Sequence, residues 1–123
     1  MGQDAVTVRG GYHLALAKME GELADMATRS VRLMKYDGRI ILWDDIVGEY
    51  NRKYNFAPRA IVWKVLADDG MPIKSIARLF ERSSSGISSG IKRLNERLPY
   101  DEQAAQLFDA TKYTYHAKTH ATR

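Results

Sequence analysis

Apolar residues recur every three or four positions along most of this chain and almost nowhere alternate, so the pattern predicts helices rather than strands. The first seam is Tyr12, Leu16, Met19, Leu23, Met26 and Leu33, a helix from Tyr12 to about Met34 in which Ser30 interrupts the stripe. Such a stripe packs onto the chain's own core or pairs with a second chain. Residues 1–10 show no pattern and Gly10-Gly11 is a natural break, so a loose start is expected. Lys35-Tyr36-Asp37-Gly38-Arg39 reads as a turn. Ile40-Ile41-Leu42-Trp43 has strand propensity but no convincing partner strand, and reads as a buried connector or helix entry.

Asp44 or Asp45 then caps a helix with Ile46, Val47 and Tyr50 inward, ending near Tyr54. Pro58 opens the next one, with Ile61, Val62, Val65 and Leu66 inward and Trp63 among them, and Asp68-Asp69-Gly70 stops it. Pro72 starts a short helix whose stripe is Ile73, Ile76, Ala77 and Phe80, with Lys74, Ser75, Arg78 and Glu81 facing away. One serine of Ser83-Ser84-Ser85 caps a helix that runs to about Leu98 and buries Ile87, Gly90 or Ile91, and Leu94. After Pro99, a last helix from Asp101 to Tyr113 offers Ala104, Ala105, Leu107, Phe108 and Ala110 or Thr111 to the core. The remaining residues, 113–123, are expected to form a mobile tail.

The expected fold class is therefore all-α, a compact helical bundle. It divides into an N-terminal helical segment at 1–38, a central unit at 39–112 and the tail at 113–123. Two amphipathic helices meeting across the polar turn near Ser83 make a helix-turn-helix pattern, in which the first helix supports and the second presents its N-terminal residues to a groove. A helix N-terminus rich in hydroxyls also suits phosphate.

A family resemblance rests on Pro58-Arg59-Ala60-Ile61-Val62-Trp63-Lys64-Val65-Leu66, on Met71 to Phe80 and on Ser84 to Leu94. These stretches resemble the C-terminal DNA-binding domain of the bacterial replication initiator DnaA, and the likeness extends back to about Trp43, over roughly half the chain. Gly86-Ile87-Ser88-Ser89-Gly90 is similar to the recognition-helix start in the structurally grouped Trp repressor. The resemblance implies double-stranded DNA as partner and a phosphate contact at Arg59. It is departed from at Ser84, where the initiators carry a base-reading histidine, and at Arg52 to Ala57, where their basic loop is longer.

Charge agrees with that direction. The chain carries a formal +4, and residues 1–50 hold 6 basic against 8 acidic side chains while residues 51–123 hold 13 against 7. A basic half containing the two-helix pattern suits a phosphate-tracking surface. Within it, Ser84, Ser85, Ser88, Ser89 and Lys92 are the candidates to reach base edges. Arg59, Lys74, Arg78, Arg82, Ser83 and Arg93 are the candidates to hold the backbone.

Enzymatic chemistry is not expected. There is no Gly-rich phosphate loop, nucleophile elbow or paired-carboxylate site, so no catalytic residues and no cofactor are assigned. With no cysteine, and with His116 and His120 four apart but lacking a third ligand, no metal site is assigned either. No apolar run approaches a membrane span, so a cytoplasmic, nucleoid-associated protein is expected. The functional expectation is a sequence-specific DNA-binding protein, a transcriptional regulator or replication-linked accessory factor, with a homodimer possible through the Tyr12 to Met34 helix. The alternative is a helical protein-interaction adaptor with little DNA binding.

Overall fold

The computed structural model describes residues 2–48 and 55–120, with side chains described for 15–48 and 55–119. Within these residues the chain forms α1 (Gly2–Val31), a hairpin of β1 (Lys35–Tyr36) and β2 (Arg39–Ile40), and five more helices. These are α2 (Trp43–Val47), α3 (Phe56–Asp68), α4 (Ile73–Leu79), α5 (Ser84–Arg97) and α6 (Glu102–His120). The class is all-α.

α3 is the centre. Ala57 to Trp63, Val65 and Leu66 are all buried, so this helix is apolar nearly all round, as a helix packed on several sides must be. It contacts α1, α2, α4, α5 and α6. Pro58 lies in its first turn, where the missing N–H is one that has no intrahelical partner anyway. At the other end Gly70 adopts φ +98°, with the Met71 N–H donating to the Leu66 carbonyl at 3.0 Å and the Gly70 N–H to that of Ala67 at 3.0 Å. This left-handed closure is the one that Asp68-Asp69-Gly70 predicts.

α1 lies against α6, α3 and α4 through Glu20, Ala24, Ala27, Thr28 and Val31. The seam expected from the sequence is therefore corrected: Leu16, Met19 and Leu33 are exposed, at 36%, 51% and 62%, and of its members with described side chains, which exclude Tyr12, only Leu23 and Met26 pack at the edge of the core. Small residues let the helix approach its neighbours closely, which the bulky positions do not. The Thr28 and Ser30 hydroxyls donate to the Ala24 and Met26 carbonyls at 2.9 and 2.7 Å, which satisfies them inside the helix. The expected break at Gly10-Gly11 is also absent, since α1 begins at Gly2.

The turn at Asp37-Gly38 is present, but it closes a hairpin that the connector reading missed. Both residues have positive φ, 54° and 75°, the backbone of a two-residue hairpin turn, and Tyr36 pairs with Arg39 across it. Ile41 follows inward, its N–H donating to the Met34 carbonyl at 2.8 Å and its carbonyl accepting from the Leu33 N–H at 2.7 Å. In α2, Ile46 is buried while Val47 is exposed against expectation. The expected continuation of this helix to Tyr54 lies outside the described residues.

α6 runs on to His120, which replaces the mobile tail expected from 113 with ordered helix up to that point. The reason is Tyr115, fully buried and donating to Asp69 Oδ2 at 2.6 Å. Burial, and then the Asp69 carboxylate, push its phenol far above the ordinary value, so the hydroxyl stays a donor.

Candidate nucleic-acid interface

α4 ends in a tight reversal. Glu81 takes φ +54°, the Arg82 N–H donates to the Ala77 carbonyl at 2.9 Å, and Ser83 then leaves the turn in extended conformation. Ser83 caps α5, its Oγ accepting from the Gly86 N–H at 3.0 Å. α4 buries Ile76, Ala77 and Phe80 and half-buries Ile73, as its stripe predicts. Ser75, expected to face away, is buried as well, because it lies beside Ile76 on the inner side of a short helix.

α5 commits little of itself to the core: only Ile87, Gly90 and Leu94 are buried. Gly90 sits where a Cβ would come within 2.7 Å of Trp63 Cζ3, so the two helices meet backbone to ring. Helical periodicity divides the exposed positions into three rows. Ser85, Ser89, Lys92 and Glu96 point straight out; Ser84, Ser88 and Asn95 lie on one flank; Gly86, Arg93 and Arg97 lie on the other. The base-contact candidates Ser84, Ser85, Ser88, Ser89 and Lys92 are all exposed. Glu96 puts a carboxylate one turn beyond Lys92, so only the first half of the outward row suits a polyanion.

The backbone-contact candidates fare differently. Lys74, Ser83 and Arg93 are exposed, and the Arg93 guanidinium lies 4.4 Å over the Phe56 ring. Arg82 is half-buried and donates to the Gly48 carbonyl at 3.2 Å. Arg78 pairs with Glu20 at 3.0 Å, its side chain still 59% exposed while that of Glu20 is 10%. Arg59 is a correction: it is 2% exposed, and its Nε and Nη2 donate to the Asp45 and Gly48 carbonyls at 2.7 and 2.8 Å. A guanidinium spent on internal carbonyls at that depth is a structural tie between α2 and α3, and it does not reach a phosphate.

Beside the third row of α5 runs an open cleft of about 1170 Å³. Gly86, Ser89, Arg93 and Arg97 form one wall, Phe56 and Trp63 of α3 another. The far end is closed by Tyr36 and Asp37 of the hairpin and by Asp101 and Gln103 at the start of α6. The indole N–H of Trp63 has no hydrogen-bond partner among the described residues. Arg97 donates through Nε to Asp101 Oδ2 at 2.7 Å and through Nη2 to the Tyr36 hydroxyl at 3.1 Å. Asp101 also accepts from the Ala104 N–H at 3.0 Å, and that bond first, then the Arg97 guanidinium, hold its carboxyl below the ordinary carboxylate range. Sequence reading missed this cleft because its walls come from distant segments, although Arg93 and Arg97 at i, i+4 already announced a basic flank.

The chain matches no protein-family model, no curated protein and no solved structure. No helix among the described residues is long and apolar enough to cross a membrane.

Proposed function

We propose that the protein is a sequence-specific double-stranded DNA-binding protein, acting in the cytoplasm on the nucleoid as a transcriptional regulator or replication-linked accessory factor, with α4, its turn and α5 serving as a helix-turn-helix. The observation that carries this reading is the exposed first half of α5, with Ser84, Ser85, Ser88, Ser89 and Lys92 uncommitted to the core on a helix braced by α4. Such a helix start carries the positive end of the helix dipole and small polar side chains, the combination that approaches a major groove closely. Lys74, Arg78, Arg82, Ser83 and Arg93 serve as backbone contacts. A hydroxyl discriminates bases weakly because it both donates and accepts. Specificity therefore draws on a second copy, paired through the exposed Leu16 and Met19 of α1, and on DNA shape.

The test is an anisotropy titration of the protein on a pool of random duplexes at several salt concentrations, with sequencing of the bound fraction. The expected result is binding that falls steeply with salt and enriches one motif. A protein-interaction adaptor is the second reading, favoured by the internal use of Arg59, which takes one cation from the phosphate set, and by the pairing of Arg78 with Glu20, which competes with phosphate for a second. Absence of any binding at low salt would leave that reading in place of the first.

A further inference from the structure

We propose that the cleft beside α5 seats one sugar–phosphate strand of the bound duplex, with Arg97 and the Gln103 amide as phosphate donors at its far end. This rests on the DNA-binding reading and extends the contact surface beyond the two-helix unit, onto the hairpin and the start of α6.

The shape of the cleft favours a chain over a small molecule. A pocket for a discrete ligand encloses most of the ligand surface, whereas this one is open and runs alongside the exposed face of α5. A strand bordering a groove that α5 enters has to pass along a flank of that helix, and the flank with the guanidiniums is this one. Three arginines line the cleft, Arg82, Arg93 and Arg97, against the carboxylates of Asp37 and Asp101.

The donors are held in place before any ligand arrives. The Arg93 guanidinium is held 4.4 Å over the Phe56 ring, a cation–π contact that uses the ring face and none of its N–H donors. Arg97 is fixed by Asp101 and the Tyr36 hydroxyl through Nε and Nη2, and the rest of its five-donor fork is left for an anion. Gln103 accepts from the Asp37 N–H at 2.7 Å through Oε1, which aims the amide as a unit and leaves its NH₂ group to donate. Fixed donors lose little freedom on binding, so each phosphate contact is strengthened.

The experiment compares wild type, Arg97→Gln and Gln103→Glu by anisotropy against duplex DNA across a salt series, with far-UV circular dichroism and melting to establish folding. One phosphate contact contributes about 0.9 to the salt slope, so Arg97→Gln is expected to flatten the slope by about that amount and to weaken binding about eightfold at ~0.1 M salt, equally on every sequence. Gln103→Glu keeps the oxygen that accepts from Asp37 and adds a charge that repels phosphate, so it weakens binding most at low salt. Should Arg97→Gln fail to fold, Gln103→Glu decides the matter alone. Wild-type binding that neither variant alters would place the strand elsewhere and overturn this inference while the DNA reading stands. No binding by wild type at low salt would overturn both.

Discussion

α3 and α5 are near neighbours of almost equal length, 13 and 14 residues, yet nine residues of α3 are buried and only three of α5. One helix is used up by the fold; the other is displayed by it. The difference teaches where to look for function. A charged residue on α3 is part of the scaffold until shown otherwise, whereas a polar residue on the outward row of α5 contributes little to folding and is exposed to a ligand. Arg59 and Lys92 are the two positions at which this contrast is sharpest, since both read as nucleic-acid contacts in the sequence.

The largest expected effect separates those two residues. Arg59→Ala removes the donors that tie the Asp45 and Gly48 carbonyls to α3 and empties the space of a side chain buried in the core, at a cost of about 3 kcal/mol. Lys92→Ala, on an exposed row, is expected to change stability by less than about 0.5 kcal/mol while altering sequence preference. Urea denaturation reads the first and selection sequencing the second. An Arg59→Ala protein of undiminished stability that merely lost salt-dependent DNA binding would erase the distinction between the helices.

A middle-sized effect is expected at the seam between them. Gly90 lets α5 close onto Trp63, and a Cβ there would stand 2.7 Å from Cζ3 and 3.1 Å from Cε3 of a buried ring. Gly90→Val must push the helix or the ring aside, and the helix propensity gained over glycine is small for a β-branched residue. A loss of about 2 kcal/mol is expected by thermal or urea unfolding. Ser89→Ala, one position away but exposed, is the matched control, with no measurable change in stability.

How much of this was legible depended on how local the signal was. The helices around Pro58, Pro72 and Ser83 were readable because proline, glycine and hydroxyl punctuation act within a few residues. The Asp37-Gly38 hairpin was missed although its turn was recognised, because a two-residue strand gives no alternating run to detect. The true face of α1 was hidden for a different reason. Apart from Val31 its contact residues are alanine, threonine and glutamate, whereas a stripe drawn through large apolar side chains runs through Leu16 and Met19 instead. Arg59 was misassigned because a resemblance carries residue types across without their burial. The cleft was out of reach altogether, since Tyr36, Phe56, Arg97 and Gln103 converge only in three dimensions.

The smallest effect concerns the turns that end α3 and α4, which close with the same left-handed geometry but not the same residue. Gly70 occupies that position after α3 with φ +98°, and Glu81 occupies it after α4 with φ +54°. A side chain in left-handed conformation costs roughly 1–2 kcal/mol, while glycine costs roughly 0.5–1 kcal/mol more in the unfolded chain. Glu81→Gly is therefore expected to raise stability by about 0.5 kcal/mol, the balance of those two terms, read as a small rise in Tm. It also removes an exposed carboxylate from the turn that leads into Ser83 and α5. DNA binding should tighten modestly at low salt and converge with wild type as salt rises, because a surface charge is screened. A stabilised variant whose binding weakened instead would mean that the carboxylate takes part in recognition, and that the displayed surface begins before α5 does.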